Sequence, residues 1–106
     1  MGLSEAVARE RGLAVEVARM PFGNIARAIE TDETAGVVKV IIDSATERIL
    51  GASVVGADGG ELIHVFGVLM KANASARTIV DSEFVHPTFA EGLQTAVMKL
   101  PRYALA

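Results

Sequence analysis

Val37-Val38-Lys39-Val40-Ile41-Ile42-Asp43, followed through Ser44-Ala45-Thr46-Glu47-Arg48 by Ile49-Leu50-Gly51-Ala52-Ser53-Val54-Val55, decides the fold of this chain. Both apolar runs are rich in β-branched side chains, which suit a pleated strand and pack against their cross-strand neighbours. The polar link between them is too short for a parallel crossover, so the pair is expected to form an antiparallel hairpin. Gly51 within the second strand and Gly56 just after it mark a close backbone approach or a bulge. Upstream, Leu13, Val15 and Val17 alternate with Ala14, Glu16 and Ala18 as far as Met20-Pro21-Phe22-Gly23, the period-two pattern of a strand running into a turn. That strand belongs in the same sheet.

After Gly56-Ala57-Asp58-Gly59-Gly60 the period becomes helical, with Leu62, Phe66 and Leu69 overlapping Ile63, Phe66 and Met70. From Glu61 to Asn73 only Glu61, His64, Lys71 and Asn73 are polar. A helix apolar on more than one side is expected to pack on its own sheet and on a partner, and part of an oligomer interface is assigned there. His64, three residues after Glu61, reads as a helical surface pair rather than a ligand. Ser4 caps a short first helix that ends at Gly12, Ser75 opens another with Ile79 and Val80, and Thr88 to Leu100 reads as the last, stopped by Pro101. Asn24 to Glu33 reads as an irregular or partly extended connection, and the tail from Arg102 carries no signal. Strands come first and helices after, so the fold class is α+β, an antiparallel β-sheet covered by helices on one face. Residues 1–106 form a single domain without repeats or a linker.

The apolar fraction of 51% is high for 106 residues, much of whose surface must stay wet, so some apolar surface is expected to serve a partner. A membrane is excluded as that partner, because no apolar run reaches the roughly 20 residues of a spanning helix. Charges at Glu5, Arg9, Glu10 and Arg11 occupy the place of a signal peptide's apolar region. A net charge of -3, one tyrosine and no tryptophan leave neither a basic footprint nor a stacking surface for nucleic acid. Without cysteine there is no disulfide framework, thiolate metal site or thiol nucleophile, and a cytoplasmic location is expected. Gly59-Gly60 lacks the lysine of a phosphate loop, and no metal-ligand cluster stands out.

What chemistry remains lies in His86-Pro87-Thr88-Phe89-Ala90-Glu91. Thr88 and Glu91 have capping-box spacing, in which the threonine hydroxyl accepts from the Glu91 amide and the carboxylate returns to the Thr88 amide. The functional reading has the Glu91 carboxylate holding the His86 imidazole and fixing its tautomer, with a cis His86-Pro87 bond turning the ring back toward the helix start. A histidine oriented in this way moves protons near neutral pH, but it needs a substrate or nucleophile that this chain does not carry. The six residues read as half of an active site.

Gly2-Leu3-Ser4-Glu5-Ala6, Met20-Pro21-Phe22 with Arg27-Ala28, Gly36-Val37-Val38-Lys39-Val40, Ile49-Leu50-Gly51-Ala52, Gly60-Glu61-Leu62-Ile63 and His86-Pro87-Thr88 with Glu91 together resemble the C-terminal dimerisation domain of the FAD-dependent pyridine nucleotide-disulfide oxidoreductases. They follow the family's order along nearly the whole chain. The resemblance implies a homodimeric parent enzyme in which NAD(P)H reduces FAD, FAD reduces a cysteine pair, and the dithiol reduces a disulfide or related acceptor. It also implies that His86 crosses the dimer to serve the other subunit's thiols as acid and base, that Glu91 orients it, and that the His86 backbone carbonyl and Pro87 lie toward the partner's FAD. Dimer contacts are expected at Phe66, Met70, Phe84 and Phe89. Mercuric reductases usually carry tyrosine at the place of His86 and end in a cysteine pair. Dihydrolipoamide dehydrogenases often have a second histidine where Phe84 stands. The resemblance therefore does not choose the acceptor. The FAD- and NAD(P)-binding domains are absent from the sequence, so an excised domain or a truncated natural product is expected. The alternative is an autonomous, non-catalytic homodimerisation module.

Overall fold

The β2–β3 hairpin forms as the sequence requires, with Val37–Asp43 as β2 and Ile49–Val55 as β3. The Asp43 carboxylate closes its turn by accepting from the Ala45 and Thr46 amides at 2.8 and 2.9 Å. Those bonds, led by Thr46, hold the Asp43 carboxyl below its ordinary range. The structure, a computed structural model, describes residues 1–104. Its remaining elements are α1 (Glu5–Glu10), β1 (Val15–Pro21), a 3-10 turn at Phe22–Asn24, α2 (Ala26–Glu30), α3 (Gly59–Lys71), α4 (Ala76–Val80) and α5 (Glu91–Val97). The sheet order is β1-β2-β3 and both pairings are antiparallel. Val40 lies opposite Ala18 on one side and Ala52 on the other, and the register slips by a bulge between Ile41 and Ile42.

Gly51 explains itself in three dimensions. The N-terminal segment runs antiparallel along β3, with the Leu3 amide donating to the Leu50 carbonyl and the Ala52 amide to the Met1 carbonyl, both at 2.9 Å. A Cβ on Gly51 would stand 2.0 Å from the Leu3 carbonyl oxygen, so only glycine permits this approach. Gly56 has φ +148, and its missing Cβ would meet the Phe22 ring at 2.6 Å.

One face of the sheet carries the main core. Met20, Val38, Val40 and Ile42 meet Leu62 and Phe66 from α3 and Leu93 and Val97 from α5, all within one buried cluster. The other face is not bare, contrary to the expectation of cover on a single side. Ile41 and Ala8 are buried outside that cluster, and α1 is held over this second face by Glu5, whose carboxylate pairs with Lys39 at 2.9 Å and Arg19 at 2.7 Å.

The Glu5 carboxyl is pulled from an ordinary 4.5 to about 2, first by the Arg9 hydrogen bond and then by Lys39. A depressed carboxylate contributes stability above its unfolded value and loses it as pH falls through the folded one. Glu5→Gln is therefore expected to lower the melting temperature at pH 6, with the difference from wild type shrinking between pH 4.5 and 2. Thermal melts across that range check it.

Two sequence expectations change. Asn24 to Glu33 is not extended, because Ile25 and Ala28 turn inward to the core and α2 forms around them. The last helix starts at Glu91 rather than Thr88, since Thr88 to Ala90 are spent in a turn whose i→i+3 bonds run from the Gly92 amide to Phe89 and from the Leu93 amide to Ala90. It ends at Val97, and Lys99 and Leu100 continue in the same tighter pattern before Pro101. The tail, where the sequence carried no signal, is pinned at Arg102 and Tyr103, while residues 105–106 lie outside the described residues. Arg102 donates to Glu16 and to the Ser44 carbonyl, Tyr103 donates to Glu47, and the Arg77 guanidinium lies 5.1 Å from the centre of the Tyr103 ring. Burial, then Glu47, raises the Tyr103 hydroxyl to about 12, while that hydroxyl holds Glu47 down.

Candidate active site

Between α4 and α5 the chain crosses residues 81–90 without regular structure. Phe84 and Phe89 are half-buried against the core, and the Phe89 ring lies 6.1 Å from that of Phe22. These two aromatic anchors leave the residues between them on the outside, where Val85 is 75% exposed. The His86-Pro87 bond is cis, as the sequence suggested. The Thr88 hydroxyl donates to the Val85 carbonyl at 2.8 Å and accepts from the Glu91 amide at 3.1 Å.

Only half of the capping box forms. The Glu91 carboxylate turns to the imidazole, with Oε1 at 2.7 Å and Oε2 at 3.0 Å from His86 Nδ1. Thr88 thus fixes the backbone of the turn while Glu91 fixes the ring. Two carboxylate oxygens on Nδ1 assign the proton to that nitrogen, because a carboxylate only accepts, and leave the Nε2 lone pair as the free proton acceptor. The His86 side chain is 70% exposed while that of Glu91 is only 16% exposed. The ring is held from behind and faces outward.

The site residues named from the sequence divide on inspection. His86, Pro87 and Glu91 come together as expected. Phe84, Phe89 and Met70 are partly buried and border the surface. Phe66 does not belong with them, since it is fully buried in the chain's own core and has no face to offer a partner. The apolar residue that α3 presents outward is Val68, 68% exposed, on a groove shared with Met1, His64, Gly67 and Lys71. The helical period allowed two inward faces, and only the docking of α3 on β3 chose between them. Among the described residues no cluster of His, Asp or Glu could hold a metal ion, and no helix is long and apolar enough to cross a membrane.

The family model described as pyridine nucleotide-disulphide oxidoreductase, dimerisation domain, matches residues 1–97, and the chain belongs to that family. Its fold is that of the family's dimerisation domain: a solved structure of the HOCl-induced flavoprotein disulfide reductase RclA from Escherichia coli superposes with a TM-score of 0.87 at 35% identity, covering 91% of this chain and 22% of that one. Among curated relatives, a dihydrolipoyl dehydrogenase of Rhizobium etli is 40% identical over 98 residues, 92% of this chain and 20% of the relative. The probable pyridine nucleotide-disulfide oxidoreductase RclA of Escherichia coli K12 is 37% identical over 93 residues, 88% of this chain and 21% of the relative. The chain thus spans about a fifth of the length of these relatives.

Proposed function

We propose that this domain dimerises a flavin-dependent NAD(P)H:disulfide oxidoreductase and lends His86 to the other subunit's redox site as its acid and base. The observation that carries the reading is a ring fixed at Nδ1 by Glu91, 70% exposed, whose Nε2 has no hydrogen-bond partner among the described residues. An imidazole oriented so firmly toward nothing among the described residues suits a substrate supplied from elsewhere. The chain has no cysteine, so the thiols belong to another part of the parent protein.

In the proposed cycle Nε2 takes the proton of one enzyme thiol as its thiolate attacks the acceptor disulfide. It returns that proton to the thiolate expelled when the acceptor S–S bond breaks. Glu91 keeps Nδ1–H in place through both transfers. The fit to FAD is local. The His86 carbonyl accepts no hydrogen bond among the described residues, and exposed Pro87 stands next to it. A free acceptor beside an apolar edge suits the N–H-bearing rim of a flat heterocycle, and His86 and Pro87 would hold the partner subunit's flavin there. FAD, when bound, supplies the electron relay between nicotinamide and dithiol. The RclA relative is described as a flavoprotein disulfide reductase, which supports the same assignment.

Two measurements check the proposal. Sedimentation of this chain at micromolar concentration is expected to give a two-fold dimer, and Val68→Asp to dissociate it while leaving a folded monomer by circular dichroism. A strictly monomeric wild-type chain overturns association through α3. In the full flavoenzyme, Glu91→Gln is expected to slow turnover with the disulfide acceptor by about tenfold, roughly one lost charge-assisted hydrogen bond. An unchanged rate overturns the orienting role of Glu91.

A further inference from the structure

The loop that carries His86 is tied at both ends to one helix. Glu91, in the first turn of α5, holds the ring itself. Gln94 lies three residues on, where a helix presents side chains beside each other on one face. Its Nε2 reaches the Ser82 carbonyl at 2.7 Å, the Ile79 carbonyl at 3.0 Å and the Val80 carbonyl at 3.2 Å. All three partners are acceptors, so the amide orientation is decided by them, and two protons serve three oxygens.

These carbonyls lie where α4 ends and the loop begins. The last carbonyls of a helix lack partners within it, and a donor from another element that reaches them fixes the direction in which the chain leaves, here beside the Ser82 amide that also donates to the Ile79 carbonyl. From Glu83 to Pro87 no backbone amide donates to another backbone group among the described residues, so the loop has little internal structure to hold its own shape. Its course is set by Phe84 and Phe89 packing inward, by the Thr88 turn, and by Gln94 at its start.

We infer that Gln94 is a positioning residue for His86: by clamping the end of α4 to the helix that bears Glu91, it sets where the imidazole stands. The inference rests on the acid–base reading of His86. It predicts that the loop, released from Gln94, lets the ring leave Glu91 and lose its single tautomer.

The test uses Gln94→Met, which keeps length and helix propensity but removes both donors, and Gln94→Lys, which restores a donor that the carbonyl end of α4 favours. In the full flavoenzyme Gln94→Met is expected to lower kcat with the disulfide acceptor roughly tenfold, and Gln94→Lys to recover most of that loss. In the His86→Ala background the Met substitution should add no further loss, because a residue that acts only through His86 has nothing left to position. Additive losses in the double variant, or no rescue by lysine, would overturn the inference. Ring nitrogen NMR on the chain itself separates this from the wider reading. Wild type should show His86 with its proton on Nδ1 and Gln94→Met a mixture of tautomers. An unchanged tautomer in the Met variant removes Gln94 from the role, whereas a lost tautomer beside a kinetically silent His86→Ala leaves Gln94 in place and withdraws the acid–base assignment instead.

Discussion

On the proposed function, His86→Ala in a parent flavoenzyme is expected to slow reduction of the disulfide acceptor by about 10²- to 10⁴-fold, the contribution typical of a positioned general acid or base. The proton balance gives the reason. A thiol that attacks must lose its proton, and a thiolate that leaves is a better leaving group when a proton meets it. On that proposal Nε2 of His86 serves both transfers, and the ring is oriented by the 2.7 Å contact of its Nδ1 to Glu91. A dye that takes electrons without passing through the dithiol bypasses this proton, so dye turnover should be retained. Steady-state rates with both acceptors make the comparison. Equal losses would mean that His86 supports the dimer or the flavin pocket as a whole, and the acid–base role would fall.

Phe66→Ala is expected to produce the largest loss of stability, about 3–5 kcal/mol, as for other fully buried phenylalanines truncated in a core. Phe66 has no exposed surface and joins α3 to the sheet within the main cluster. A domain of this size has only about 5–15 kcal/mol in total, so the variant should melt far below wild type. The same measurement separates core from interface. Were Phe66 a dimer contact, its loss would appear as weaker association with a dependence on protein concentration. Denaturant unfolding at several concentrations is expected instead to show a shift independent of concentration, while Val68→Ala, on the exposed side of the same helix, lowers stability only at concentrations where the dimer forms.

The pairing of His86 and Glu91 was legible because it is local, five residues apart across one turn. The spacing left open whether Glu91 would cap the helix or hold the ring. Thr88 resolves this by satisfying the Glu91 amide alone, which frees the carboxylate for Nδ1. Gln94 had no such signal, because a single glutamine in a helix has no signature. Its partners lie 12 to 15 residues earlier, on another element.

By itself the sequence determined the β2–β3 hairpin, the β1 strand before it and the cis turn at His86, since each is written in neighbouring residues: β-branched runs, alternation, an X-Pro bond ahead of a helix start. Tertiary structure alone decided that Phe66 faces inward and Val68 outward, that Asn24 to Glu33 contains a helix, that α1 packs on the second face of the sheet, and that Arg102 and Tyr103 are pinned. The Arg102 contact to Glu16 spans 86 residues and the Tyr103 contact to Glu47 spans 56. Such pairs form only after the sheet has brought distant segments together, and no local periodicity records them. α3 is apolar on more than one side, so its own pattern permitted two orientations. Docking on β3 selected one of them.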